Sequence, residues 1–126
     1  MSKEETKPAI WIVNDGGHPY EKALDIVPNG EFRRFTIGNV NPLRLDRLNF
    51  GLAEGIARYA KAGDYIIVSG TPMISTMVGV LWFLRFDEAR FLQWNAKRRK
   101  YELTTLSRES LENLLERFMS QESLQF

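Results

Sequence analysis

The chain contains no cysteine, only one histidine and almost no excess of charge of either sign. Without cysteine it has no disulfide, no thiolate zinc site and no cysteine nucleophile, which is typical of a reducing compartment. One histidine and scattered carboxylates form no cluster of metal ligands, so neither a metal nor another cofactor is predicted. The net charge of +1, from 17 basic and 16 acidic residues, argues against a protein that mainly coats nucleic acid.

Long apolar runs are also missing. The longest, residues 73–86, contains Ser75, Thr76 and Arg85 and is too short to span a bilayer. We predict that this run forms a helix buried on most sides. The polar segment Met1–Pro8 does not resemble a signal peptide and predicts a flexible leader. The protein is therefore expected to be cytoplasmic and to have no membrane partner.

Short apolar runs alternate with segments of helical periodicity along the 126 residues, which fit one domain. Residues 9–13 and 64–68 are almost entirely apolar, which is typical of strands covered on both faces. The predicted strands cover residues 9–13, 32–37, 64–68, 91–95 and 101–103. The predicted helices cover residues 20–27, 43–62, 73–86 and a tail that starts at Ser107, and residues 38–42 are predicted to form a loop.

This order of strands and helices predicts an α/β fold, a single Rossmann-like domain with a mostly parallel sheet of about five strands. The last two strands are expected to form a C-terminal β-hairpin around the turn 96–100, followed by an extra C-terminal helix. The predicted boundaries are residues 1–8 for the leader, 9–106 for the Rossmann-like domain, and 107–126 for an amphipathic helix and tail.

Two glycine-bearing loops mark the candidate site. In an open parallel sheet, ligands bind beyond the carboxyl ends of the strands where the strand order reverses. For the order 2-1-3-4, that position lies between the first and third strands. Glycine lets the backbone approach a ligand closely, and the free N–H groups of a following helix favour phosphate. The candidate ligand-binding residues are Asn14, Asp15, Gly16, Gly17, His18, Ser69, Gly70 and Thr71.

Two of these residues are also candidate catalytic groups. His18 is the only histidine and can act as a general base near neutral pH, and Ser69 offers a hydroxyl. The same residues also fit a structural interpretation, in which the glycines form tight turns, Ser69 and Thr71 cap the next helix, and His18 belongs to a turn. The loops match neither the dinucleotide-binding glycine motif nor the phosphate-binding P-loop.

Three other features have a functional and a structural interpretation. The basic turn 97–100, with Trp94 and Tyr101 beside it, fits nucleic-acid binding but is more often a solvated turn, and nucleic acid is not our predicted partner. Four arginines could neutralise a phosphate or be solvated: Arg33, Arg34, Arg44 and Arg47. The tail helix has an apolar stripe that needs a covering surface, either its own sheet, a second copy in a homodimer, or a host protein: Leu111, Leu114, Leu115 and Phe118.

Two resemblances bear on function. The run DYIIVSGTPMIS, residues 64–75, resembles the strand–turn–helix element of CRISPR-associated Rossmann-fold domains that bind cyclic oligoadenylates, and small ring nucleases share that layout. This resemblance implies a ligand over residues 15–18 and 69–71, often across a dimer. That motif usually carries a second glycine and a lysine, where this chain has Ser69 and Pro72.

A broader resemblance covers most of the chain. Three groups of residues carry it. The first is a strand that ends in Asn14 and is followed by Gly17-His18, and the second is Asp64-Tyr65 followed by Ser69-Gly70. The third is Leu92-x-Trp94-Asn95 followed by Tyr101. This pattern is similar to small Rossmann-like proteins of phages and bacterial mobile elements. The resemblance implies the same fold and a phage or mobile-element setting, and it implies no activity.

Two hypotheses of function follow. In the first, the protein binds a nucleotide or another phosphate-bearing small molecule, and as an enzyme it would be a metal-independent phosphodiesterase or ring nuclease acting on a cyclic oligonucleotide. In that reaction a ribose 2′-hydroxyl held in line could attack without a strong base. In the second, it is a phage or mobile-element accessory protein that binds a host protein through the hairpin and tail helix, with no small-molecule ligand.

Overall fold

The computed structural model describes residues 7–37 and 45–125. The strands are β1 (Ala9–Asp15), β2 (Glu31–Ile37), β3 (Tyr65–Ile67), β4 (Glu88–Asn95) and β5 (Lys100–Ser107). The α-helices are α1 (Leu45–Arg58), α2 (Pro72–Arg85) and α3 (Arg108–Gln125), and a short 3₁₀ helix covers Glu21–Asp25. Residues 1–6 of the predicted leader, the predicted loop 38–42, and Leu43 and Arg44 lie outside the described residues.

The sheet has the order β2-β1-β3-β4-β5 and is parallel except for its last pair. The strand order therefore reverses between β1 and β3, which confirms the predicted switch point. Strands β4 and β5 form an antiparallel hairpin at one edge, with Asn95 opposite Lys100. The predicted α/β class, the mostly parallel sheet of five strands and the C-terminal hairpin are confirmed.

The two faces of the sheet are covered differently. On one face, α1 and α2 pack over Trp11 and Val13 of β1, and the ring of Phe35 stacks on Trp11 at a centroid distance of 4.4 Å. On the other face, the segment around the 3₁₀ helix covers Ile10 and Ile12 through Ala23. Both sets of β1 side chains are fully buried, as expected for a central strand of a parallel sheet.

A buried carboxylate fixes the start of β1. Asp64, just before β3, accepts hydrogen bonds from the backbone N–H of Ala9 at 3.0 Å, from the indole Nε1–H of Trp11 at 3.0 Å and from the backbone N–H of Lys61 at 2.9 Å. The side chain of Asp64 is almost completely buried. Its hydrogen bonds compensate the loss of water around the carboxylate and tie together segments that are far apart in sequence.

Two helix predictions are corrected by the structure. Residues 20–27 contain a 3₁₀ helix, Glu21–Asp25, instead of an α-helix. Helix α2 is not buried on most sides, because Val80 and Leu84 on its outer side are strongly exposed, while Ile74 and Trp82 on its inner side are fully buried. Within residues 7–37 and 45–125, no helix is both long and apolar enough to cross a membrane.

Helix α3 leaves the domain directly from the hairpin. Strand β5 ends at Ser107 and α3 begins at Arg108, with no connecting loop. The Arg108 guanidinium donates to the carbonyl of Phe83 at 2.7 Å and to the carboxylate of Asp87, and its backbone N–H donates to the carbonyl of Asp87 at 2.8 Å. The first turn of α3 is thus fixed to the end of α2, whereas residues 109–120 are exposed.

Candidate functional site

The carboxyl ends of β1 and β3 are joined by a hydroxyl. Ser69 Oγ accepts from the backbone N–H of Asn14 and donates to the backbone carbonyl of Asn14, both at 3.1 Å. Thr36, at the end of β2, has its hydroxyl 2.9 Å from the carbonyl oxygen of Val13 and 2.9 Å from Asn14 Oδ1. The predicted site residues Asn14 and Ser69 are therefore neighbours, and the Ser69 hydroxyl extends the pairing of β1 with β3.

Gly70 is required for the close approach of these two strand ends. Its φ is +79°, in the left-handed region that favours glycine, and a Cβ built on it would lie 2.7 Å from Asn14 Cβ. The next residue, Thr71, is the N-cap of α2, but its hydroxyl caps no backbone N–H. Thr71 Oγ1 is buried and makes no hydrogen bond within the described residues.

The loop after β1 is held by its own side chains. Gly17, with φ +89°, donates its backbone N–H to Asp15 Oδ1 at 3.0 Å. Asp15 Oδ2 in turn accepts from Arg34 Nε at 2.8 Å, and this ion pair is partly exposed. The Tyr20 hydroxyl lies 3.4 Å from both the backbone nitrogen of Gly16 and the carbonyl oxygen of Asn14. Cβ atoms built on Gly16 and Gly17 would meet nothing within 4 Å, so this loop leaves open space beside it.

A pocket of about 370 Å³ lies beside this loop. Its volume falls within the range of about 300–1,000 Å³ that is usual for small-molecule sites. The pocket brings together an imidazole, a guanidinium, two carboxylates and two aromatic rings. Its lining residues are Ile12, Asp15, Gly17, His18, Pro19, Tyr20, Glu21, Phe32 and Arg34.

An aromatic cluster extends from this pocket over the hairpin. The His18 ring stands edge-on to Tyr20 and to Trp94, with centroid distances of 5.5 Å and 6.1 Å. Trp94 in turn packs edge-on against Tyr101 at 5.0 Å. Tyr101 is buried, so it is not free to stack on a nucleic-acid base as the interpretation of the basic turn required. His18 is thus placed against aromatic rings of the hairpin.

The predicted site residues form two adjoining groups. Asp15, Gly17 and His18 line the pocket, whereas Ser69, Gly70 and Thr71 follow β3, and Asn14 contacts this second group. Tyr20 was not predicted from sequence, Trp94 was predicted only beside the basic turn, and Arg34 was not distinguished from the other arginines. The signal that could have identified Arg34 is register, because Arg34 pairs with Ile12 and so shares its face of the sheet. No group of metal ligands occurs within residues 7–37 and 45–125.

Because of Tyr101, the free energy of unfolding is expected to depend on pH in the alkaline range. Burial, and to a smaller extent the nearby Tyr20 and Glu21, together raise the pKa of Tyr101 from 10.0 to about 12. The unfolded chain releases this proton near pH 10 and the folded chain only near pH 12. The free energy of unfolding therefore contains a contribution, up to roughly 3 kcal/mol, that is present below pH 10 and lost between pH 10 and pH 12.

We expect Tyr101→Phe to remove this part of the pH dependence. Urea unfolding at pH 9 and at pH 11 should show a smaller loss of stability in Tyr101→Phe than in the wild type. The exposed Tyr59 provides the control, since Tyr59→Phe should leave the wild-type loss unchanged. Equal losses in the wild type and Tyr101→Phe would show that the phenol is not protected by burial.

Comparison with known proteins supports the phage setting. Residues 11–107 match the family described as phage Pam3 gp32-like protein, which is well over half of the chain. Searches of curated proteins and of solved structures found no match. The predicted resemblance to small phage proteins is confirmed, and nothing supports the resemblance to CRISPR-associated domains or ring nucleases. On the extent of that match, the chain belongs to the phage Pam3 gp32-like family.

Proposed function

We propose that the protein binds a nucleotide or another small phosphate-bearing molecule at the end of β1. The supporting observation is the pocket of about 370 Å³ whose lining includes both Arg34 and His18. A guanidinium is the side chain best suited to phosphate, because its planar donors match two phosphate oxygens. The Arg34 side chain is 44% exposed, so a ligand can reach it without displacing the core.

The aromatic rings near the pocket suit the base of a nucleotide ligand. His18, which lines the pocket, is exposed, and the partly buried Trp94 packs behind it with a distance of 6.1 Å between the ring centroids. Stacking of a nucleobase on an aromatic side chain contributes about 1–3 kcal/mol to binding, whichever base it is. The ligand we favour therefore has its phosphate at Arg34 and its base against the rings of His18 and Trp94.

The Asp15–Arg34 ion pair sets the selectivity of this site. Asp15 satisfies one side of the guanidinium at 2.8 Å, and the remaining donors of Arg34 can bind a phosphate oxygen. Asp15 also provides a carboxylate that can accept from a ribose hydroxyl. A ligand with both a phosphate and a sugar is therefore favoured over inorganic phosphate alone.

Cyclic oligonucleotides belong to the class of ligands that we propose, and their cleavage is part of the test. Ser69 Oγ is held by the backbone of Asn14, so His18 is the group better placed to exchange a proton with a bound ligand. Cleavage by an in-line ribose hydroxyl would need only positioning and a weak base. Incubating bound ligands with the protein and analysing the products distinguishes a binding protein from a phosphodiesterase.

We expect thermal-shift measurements with mono-, di- and cyclic nucleotides to identify a ligand that raises the melting temperature. At a hundred times the dissociation constant, a ligand stabilises by about 2.7 kcal/mol, a shift of several degrees for a domain of this size. Arg34→Gln should weaken that ligand roughly ten- to a hundredfold, because it removes charge-assisted hydrogen bonds to phosphate. His18→Ala should weaken it by a smaller factor through lost stacking.

Arg33→Gln is the matched control for this experiment. Arg33 is the neighbouring residue and loses the same charge, but it points to the opposite face of β2, beside Glu31 and over the ring of Trp11. Arg33→Gln should bind the ligand as the wild type does. The proposal fails if no nucleotide shifts the melting temperature, or if the two arginine substitutions weaken binding equally.

A further inference from the structure

The outer surface of α3 carries an uncovered apolar stripe. Five apolar residues recur at three- and four-residue spacing and are 40% to 64% exposed: Leu111, Leu114, Leu115, Phe118 and Met119. Asn113 and Glu116 lie on the other side of the helix, so its exposed surface is divided into an apolar and a polar side. An apolar stripe of this length in water is unfavourable unless another surface covers it.

The domain to which α3 belongs does not cover this stripe. Helix α3 follows β5 without a connecting loop, and its residues 109–120 are exposed. Arg108 holds the first turn against Phe83 and Asp87, which fixes the direction in which the helix leaves. Within residues 7–37 and 45–125, no element covers the stripe.

A receiving surface exists on the same chain, beside the first turns of α3. It is a mainly apolar cleft of about 730 Å³ between α2, the hairpin and the start of α3. Val80 and Leu84 of α2, at its wall, are 57% and 75% exposed. The cleft is lined by Ser75, Thr76, Gly79, Val80, Phe83, Leu84, Phe91, Leu106, Arg108 and Glu112.

We propose that two copies of the chain form a dimer in which the α3 helices lie antiparallel and each one fills the cleft of the other. In an antiparallel pair, the C-terminal half of one α3 helix, with Phe118 and Met119, lies beside the first turns of the other α3 helix. The cleft opens at those first turns, where Arg108 and Glu112 line it. The same contact is then made twice around a two-fold axis, and it covers both the α3 stripe and the cleft of each copy.

The exposed area has the size that a stable dimer needs. The stripe on α3 and the α2 pair Val80 and Leu84 together comprise seven large apolar side chains, each between 40% and 75% exposed. At about 200 Å² for a fully exposed side chain, they amount to on the order of 800 Å² per copy, which is the contribution of one side to a standard specific interface. This surface is distinct from the proposed ligand pocket, so the dimer does not depend on ligand binding.

The first test is the mass of the full chain in solution, measured by light scattering during gel filtration. We expect twice the 14.6 kDa of one chain. Phe118→Glu and Leu84→Glu should each weaken the dimer roughly a thousandfold, since a central apolar anchor is lost at two symmetric positions. Asn113→Glu adds the same charge on the opposite side of α3 and should remain dimeric. Circular dichroism checks that each variant is folded.

The second test uses the absence of cysteine from the chain. A mixture of Phe118→Cys and Leu84→Cys chains should form disulfide-linked pairs between the two variants on oxidation, because α3 of one copy lies in the cleft of the other. A mixture of Asn113→Cys and Leu84→Cys chains should not. A monomeric wild type, or a dimer that survives both Phe118→Glu and Leu84→Glu, would overturn the proposal and leave the stripe to a different protein.

Discussion

Replacing Asp64 with alanine should lower the free energy of unfolding by roughly 3–5 kcal/mol, because three donors lose a buried acceptor. The donors are the backbone N–H groups of Ala9 and Lys61 and the indole of Trp11, at 2.9–3.0 Å. The lost stability is a large part of the roughly 5–15 kcal/mol that holds a typical domain together. Urea unfolding followed by tryptophan fluorescence measures the change.

Two further variants separate the hydrogen bonds of Asp64 from its charge. Asp64→Asn keeps one acceptor oxygen and should lose less stability than Asp64→Ala. Asp25→Ala removes a carboxylate from an exposed position in the 3₁₀ helix and should change the free energy of unfolding by about 0.5 kcal/mol or less. If Asp64→Ala is as stable as Asp25→Ala, the three hydrogen bonds contribute nothing net and our account of this anchor is wrong.

Gly70→Val should lower the free energy of unfolding by about 3 kcal/mol. A side chain at φ +79° costs roughly 1–2 kcal/mol in backbone strain. A Cβ at 2.7 Å from Asn14 Cβ also forces the two strand ends apart, at a further cost of about 1–3 kcal/mol. Thermal and urea unfolding measure this loss directly, in the absence of any ligand.

Gly16→Val is the matched control for Gly70→Val. A Cβ at Gly16 would meet nothing within 4 Å, so the added side chain can extend into solvent. We expect its stability to stay within about 0.5 kcal/mol of the wild type. Gly70 therefore reports on the packing of β1 against the loop after β3, and a loss of ligand binding in Gly70→Val would not locate the ligand. Equal stability of the two glycine variants would contradict the predicted clash.

The strand order could be predicted from sequence because the physical signals are local and strong. The apolar runs at residues 9–13 and 64–68 were correctly placed in β1 and β3, although β3 covers only Tyr65–Ile67. Helix α2 shows the limit of this approach. Residues 80–84 of this helix are all apolar, so periodicity does not separate its buried Trp82 from its exposed Leu84.

Only part of the candidate site could be predicted from the sequence, for a different reason. The loop residues Asp15 and His18 stand out by composition, but Arg34 and Trp94 join them only through strand register and the position of the hairpin. Such contacts link residues far apart along the chain, and no local pattern encodes them. The 3₁₀ helix was read as an α-helix because Pro19 fits the first turn of either kind.

The position of β1 between β2 and β3 also sets how far along the chain its pairings must reach. The hairpin joins Asn95 to Lys100 across a short turn, whereas the Ile10–Tyr65 pairing closes a segment of 55 residues. Since the entropy lost on closure grows with the length of the segment, the hairpin can form early and the centre of the sheet only late. Asp64 and Ser69 bind β1 at the two ends of its three-residue contact with β3, so their hydrogen bonds reinforce the strand pairing that spans the longest segment of chain.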